Sequence, residues 1–168
     1  MGSGKSTIGA ALAARLAVPF VDLDAALEAS SGRTIQAWFE TLGEPSFRVA
    51  ERAELAATLD RLARDGGGGV IALGGGAYAE PETRALLAGR AQTIWLDVPL
   101  EAIRARILEG DGRPLYRDPA NVARLFAARQ TAYAQAEVRI DATQAPEAVL
   151  ERIVAEVATR FGPQAGGS

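Results

Sequence analysis

Apolar positions along this chain alternate between helical spacing and short unbroken runs. Ile8, Ala11, Leu12 and Leu16 recur at helical spacing and predict a helix from Ser6 to Leu16. Phe20 to Leu23 follows Pro19 and reads as a short buried strand that takes in Val21 and Asp22. Short helices are predicted at Asp24–Ala29 and Thr34–Leu42, and a longer one from about Pro45 to Ala63, stopped by the glycines of Gly66 to Gly69. Val70 to Leu73 is a compact β-type run that ends on Gly74, Gly75 and Gly76. Glu80–Leu87 is helical with Pro81 in its first turn. Thr93–Asp97 is the next strand, and Pro99 opens a helix to about Glu109. A polar loop with two prolines spans Gly110 to Pro119. Asn121–Gln135 is helical, Val138–Asp141 is the last strand, and Pro146 opens a final helix to Phe161. The tail Gly162–Ser168 is expected to be disordered.

Strands that alternate with helices predict an α/β fold, a parallel sheet with helices on both faces. No linker or repeat divides the 168 residues, so one domain over 1–161 is expected. Ligands should then bind at the carboxyl ends of the strands.

Composition narrows the chemistry. The chain has no Cys and no His, which excludes disulfides, thiolate and imidazole metal sites, and His-based acid–base catalysis. A net charge of −3 gives no global field for nucleic acid or an anionic membrane. No apolar run approaches the roughly 20 residues needed to span a bilayer. The expected location is the cytoplasm. Among the cations Lys5 is the only lysine, and the rest are Arg, whose planar fork suits phosphate and carboxylate.

Gly2, Ser3, Gly4, Lys5, Ser6 and Thr7 open the first helix and match the second half of the phosphate loop G-x-x-x-x-G-K-[ST]. Glycines there let backbone N–H groups turn inward as an anion nest, and the helix terminus adds its positive end. Lys5 would reach the β- and γ-phosphates of ATP, and the Ser6 hydroxyl would ligate Mg²⁺. The plainer alternative is a flexible start followed by a capped helix. The first glycine of the pattern would lie two residues before Met1, and the strand that feeds such a loop is missing. The expectation is that the native chain begins about ten residues upstream; the alternative is that the chain as written is real and impaired, since a buried sheet with unpaired neighbours is costly.

Asp22 and Asp24 lie two apart at a strand end, so an extended backbone would turn both carboxylates to one side. One could hold Mg²⁺ through water while the other accepts a hydroxyl proton; equally, Asp24 could simply cap the next helix. Gly74 to Gly76 would let a ligand approach the backbone closely, or form a loose turn. Arg48, Arg113 and Arg129 are candidate anion clamps, with a solvated helix face as the alternative. Arg113 lies in Gly110-Asp111-Gly112-Arg113-Pro114-Leu115, a loop at about 110–120 that could close as a lid.

Several of these segments occur in the order found in the shikimate kinase family. They are Gly2–Thr7, Phe20–Asp24, Gly32-Arg33-Thr34-Ile35, Gly43-Glu44 with Phe47-Arg48, Gly74–Ala77, Arg113-Pro114-Leu115, and Arg129 with Tyr133. The chain resembles that family from Gly2 to about Ile153. The resemblance implies transfer of the γ-phosphoryl group of ATP to the 3-hydroxyl of shikimate, in aromatic amino-acid biosynthesis. It implies that Lys5 and Ser6 bind ATP phosphates and Mg²⁺, with Asp22 supporting the metal through water. It implies that Asp24 holds shikimate hydroxyls as base or orienter, that Arg48 and Arg129 grip the carboxylate, and that Gly74, Gly75 and Gly76 line the same site. It implies that Arg113 approaches the phosphates, and that Arg106 and the segment near Gln144 flank adenine. The implied fold is a three-layer P-loop NTPase-type sheet in strand order 2-3-1-4-5, with its central first strand missing here, and a monomer. The rivals are a related small-molecule kinase, such as a gluconate kinase, and a kinase-like module that senses a ligand without catalysis.

Overall fold

The computed structural model describes residues 3–66, 68–103 and 119–161. Along the chain run α1 (Lys5–Leu16), β1 (Phe20–Asp22), α2 (Leu23–Ser31), α3 (Ile35–Thr41) and α4 (Gly43–Arg64). Then come β2 (Val70–Ala72), a 3-10 turn at Ala77–Ala79, α5 (Pro81–Leu87) and β3 (Ile94–Asp97). Helix α6 is described over 100–103. It is followed by α7 (Pro119–Tyr133), β4 (Val138–Asp141) and α8 (Pro146–Phe161). The predicted lid, apart from its last residues, and the predicted tail lie outside the described residues.

All pairing among the described strands is parallel. Phe20, Val21 and Asp22 of β1 face Val70, Ile71 and Ala72 of β2. Ile94 to Asp97 of β3 face Val138 to Asp141 of β4. No described strand joins the two pairs. Removing the first strand from the order 2-3-1-4-5 leaves 2-3 and 4-5, which are the two pairs seen.

Two apolar clusters cover opposite faces. One packs Ile8 and Leu12 of α1 and Val149 and Ile153 of α8 against Val138 and Ile140 of β4, with Val70, Ile94 and Leu96 beside them. The other packs Leu23 of α2, Leu55 and Leu59 of α4 and Leu87 of α5, with Ile71 and Leu73 beside them. Val70 and Ile71 are consecutive yet belong to different clusters. Side chains alternate across a strand, so β2 is covered on both faces, and a sheet covered this way needs runs of apolar residues. Leu23 and Leu55 are fully buried, and shortening either to Ala should cost about 2–5 kcal/mol. Helix α1 sits close to β1 because Gly9 has no side chain: a Cβ there would lie 2.7 Å from the Phe20 ring.

One local expectation is corrected. The strand stops at Asp22, and α2 already begins at Leu23, so Asp24 is not extended backbone. The cap of α2 is Asp22 rather than Asp24. Its Oδ1 accepts from the backbone N–H groups of Asp24 and Ala25, at 3.1 and 3.5 Å. This satisfies two of the donors that a helix start leaves unpaired.

Candidate active site

The phosphate-loop residues sit where the helix terminus requires them. Gly4 precedes α1 in the left-handed region, at φ 81°, which glycine adopts without strain. Its carbonyl accepts from Ile8 N–H at 2.9 Å and starts the helix at Lys5. Ser3, Lys5 and Thr7 surround this terminus, whose free N–H groups and dipole favour an anion. The next residue, Ser6, donates its hydroxyl to Asp22 Oδ2 at 2.6 Å. That bond ties the start of α1 to the carboxyl end of β1. It also sets a hydroxyl and a carboxylate side by side, the hard oxygen donors that Mg²⁺ takes, so these residues fit that ion.

The glycine turn after β2 is where the other half of the site forms. None of its three glycines is among the described glycines with positive φ. What they supply is missing side chains. A Cβ on Gly74 would lie 2.8 Å from Asp24 Oδ1 and 3.0 Å from Glu51 Oε1, and one on Gly76 would lie 2.1 Å from Arg48 Nη2. Asp24 therefore reaches the site from the first turn of α2, not by strand alternation. The turn is closed by Ala77 N–H on Gly74 O and Ala79 N–H on Gly76 O, both at 3.1 Å. The Tyr133 hydroxyl of α7 donates to Gly75 O.

Arg48 is held inside this cluster. Its Nη1 donates to Glu51 Oε2 at 2.6 Å, and its Nη2 donates to Glu44 Oε1 at 2.9 Å. The three residues share one stripe of α4 at i, i+4 and i+7. Glu51 is only 2% exposed. Burial pushes its carboxyl above the usual range; the bond to Arg48 pulls the other way, while Asp24 and Glu80 add to the rise. The Glu51 oxygen that Arg48 does not bind, Oε1, is buried without a hydrogen-bond partner. Nothing in the sequence singled out Glu51. A Glu on a helix reads as a solvated face, and only its spacing from Arg48 carried a trace of the pairing.

Arg129, on α7, presents the opposite state. Its Nη1 is buried and has no hydrogen-bond partner in the structure. A buried donor left this way is costly unless a ligand meets it. Gln144 is exposed beyond β4, after the turn in which Asp141 Oδ1 accepts from Thr143 N–H and Oγ1, at 3.0 and 2.7 Å. Those two bonds, the side-chain one foremost, hold the Asp141 carboxyl below its usual range. Gly2, Arg106 and Arg113 lie outside the described residues.

Thus the structure joins Ser6 to Asp22, and gathers Asp24, Arg48 and Glu51 around Gly74 and Gly76. The family model for shikimate kinase matches residues 1–158. The chain belongs to the shikimate kinase family. A shikimate kinase from Caulobacter vibrioides is 42% identical over 152 residues, covering 89% of this chain and 74% of that one. Among solved structures, the shikimate kinase of Acinetobacter baumannii in complex with shikimate matches with a TM-score of 0.86 at 29% identity. It covers 96% of this chain and 90% of that one. That of Aquifex aeolicus matches with a TM-score of 0.82 at 30% identity, covering 96% and 95%. The chain thus has the P-loop kinase fold of a phosphotransferase family that uses ATP.

Proposed function

We propose that this chain transfers the γ-phosphoryl group of ATP to the 3-hydroxyl of shikimate, giving ADP and shikimate 3-phosphate. The observation that carries the reading is the glycine turn, where a carboxylate (Asp24) and an arginine (Arg48) lie against the bare backbone of Gly74 and Gly76. A hydroxy acid needs those two groups at one site: one faces its hydroxyl and the other its carboxylate. The phosphate side supports the same reading through the Gly4 cap, Lys5 and the Ser6–Asp22 pair.

In this mechanism Arg48 and Arg129 hold the shikimate carboxylate. Arg48 arrives already oriented by Glu51 and Glu44. Asp24 accepts the proton of the 3-hydroxyl as its oxygen forms the new bond to Pγ. The bond from Pγ to the β–γ bridging oxygen breaks, and its electron pair leaves with ADP. Lys5 and the N-terminus of α1 balance the charge that builds on the phosphates. Ser6 and Asp22 would hold Mg²⁺, which when bound neutralises charge on the β- and γ-phosphates. Arg113 and Arg106, with Gln144, complete the nucleotide side in this reading. In this reading the enzyme works in the cytoplasm as a monomer.

The test is purified protein with ATP, Mg²⁺ and either shikimate or gluconate, with products read by ³¹P NMR. The expected result is shikimate 3-phosphate and no phosphogluconate. Turnover of gluconate alone, or shikimate binding with no ADP formed, would overturn the reading. Asp24→Asn should lower kcat by about 10²–10⁴ with the melting temperature nearly unchanged, since a positioned base contributes that much.

A further inference from the structure

Three helices reach the glycine turn: α2 through Asp24 at Gly74, α7 through Tyr133 at Gly75, and α4 through Arg48 at Gly76. Two of these side chains are groups to which the proposed function gives chemistry. The third is a phenol whose hydroxyl is spent on a backbone carbonyl.

We infer that Tyr133 is a positioning residue that sets Arg129 against Asp24 and Arg48 by fixing the last turn of α7 to Gly75. Arg129 precedes Tyr133 by four residues, so the two occupy one face of α7, a turn apart. Arg129 brings a buried Nη1 with no hydrogen-bond partner, and nothing in that group anchors it. The anchor lies at Tyr133. Its ring is braced by Trp95 at 6.0 Å and by Tyr78 at 6.5 Å, both tilted contacts of favourable geometry. Both braces are themselves tied. Arg139 lies over the Trp95 ring at 4.8 Å and is held by Asp97 Oδ2 at 2.9 and 2.6 Å. The Tyr78 hydroxyl donates to Thr93 Oγ1 at 3.4 Å, and that oxygen also accepts from Glu137 N–H at 3.1 Å. Tyr133 therefore links β3 and β4 to the glycine turn after β2, across the place where no described strand joins the two pairs. The hydroxyl chooses the height of α7 along the turn, and the ring packing chooses its rotation. This inference rests on the assignment of Arg129 to the shikimate carboxylate.

Tyr133→Phe keeps the ring and removes only the hydroxyl, so the fold should survive. The expected result is a KM for shikimate raised about three- to tenfold, the factor one neutral hydrogen bond controls, with the KM for ATP unchanged and the melting temperature lowered by no more than the few degrees that one such bond is worth. In an Arg129→Lys background the same substitution should add nothing, because its effect passes through the guanidinium. An unchanged KM for shikimate overturns the inference, as does an effect that simply adds to that of Arg129→Lys. Equal rises in both KM values with a lower melting temperature also overturn it, since they mark a merely structural role. If the unsubstituted enzyme turns over no shikimate, the functional reading fails first and the inference falls with it. If it does and Tyr133→Phe is silent, only the inference fails.

Discussion

Arg48 on α4 and Arg129 on α7 are assigned to the same carboxylate, yet they wait for it in opposite states. Arg48 is 12% exposed and already carries two carboxylate partners, one of them the buried Glu51. Arg129 has a buried guanidinium nitrogen with no partner. A cation paired inside the fold contributes to stability and arrives oriented, but much of its charge is already balanced. A cation held without a partner costs the fold something and gains its counter-charge when substrate enters. The difference implies a division of labour: damage at Arg48 should appear first in stability, and damage at Arg129 first in substrate use.

The largest effect expected is on folding. Arg48→Ala leaves Glu51 buried without its cation, which should cost about 3–5 kcal/mol. At about 2–4 °C per kcal/mol for a chain of this size, thermal melts should show a fall on the order of 10 °C. Glu51→Gln in the same background should recover part of that loss. A melt within a degree of the unsubstituted protein would break the comparison from the Arg48 side.

Next comes Arg129→Ala. Loss of a charge-assisted bond to substrate is worth about 2–3 kcal/mol, so kcat/KM for shikimate should drop by roughly a hundredfold. The melting temperature should hold or rise slightly, because an unsatisfied donor has been removed. A large drop in melting temperature would show that Arg129 is paired in the fold after all.

The smallest effect sharpens the role of Glu51. Its carboxyl titrates higher in the folded chain than its ordinary value of 4.5. Between that value and the raised one, the folded chain binds more protons than the unfolded one. The stability this proton contributes is full below 4.5 and is lost as pH rises through the raised value. Glu51→Gln cannot titrate, so the difference in unfolding free energy between the two proteins should change across that window. The change is at most about 1.4 kcal/mol per pH unit, readable by denaturant titration at several pH values. A constant difference would mean that Arg48 fully offsets burial at this carboxyl.

How much of this was written in the sequence varies with the range of the contact. The order of helices and strands was legible because the strands are short apolar runs with both faces covered, as Val70 and Ile71 illustrate. The phosphate loop was legible because its chemistry sits in six successive residues. Helix α2 starts one residue earlier than the pattern predicts, since Asp22 ends a strand and caps a helix at once, and alternation along an extended segment says nothing about that exchange. The three glycines were read as room for a ligand. In the structure they also make room for Asp24 and Arg48, partners about 50 and 30 residues away along the chain. Glu51 left no trace beyond its spacing from Arg48, and the Tyr133 bond to Gly75 left none, because a charged helical residue and a distant aromatic give little local signal of what they will touch.

In the proposed reading, a substrate carboxylate completes the site by meeting Arg129. The most direct measurement is the steady-state rate with shikimate against its methyl ester, in the unsubstituted enzyme and in Arg129→Ala. The ester should lower kcat/KM in the unsubstituted enzyme at least as far as Arg129→Ala lowers it for the acid, because the ester also loses its charge toward Arg48. Arg129→Ala should prefer the acid by a much smaller factor, the part that Arg48 alone supplies. Equal use of acid and ester by the unsubstituted enzyme would contradict it.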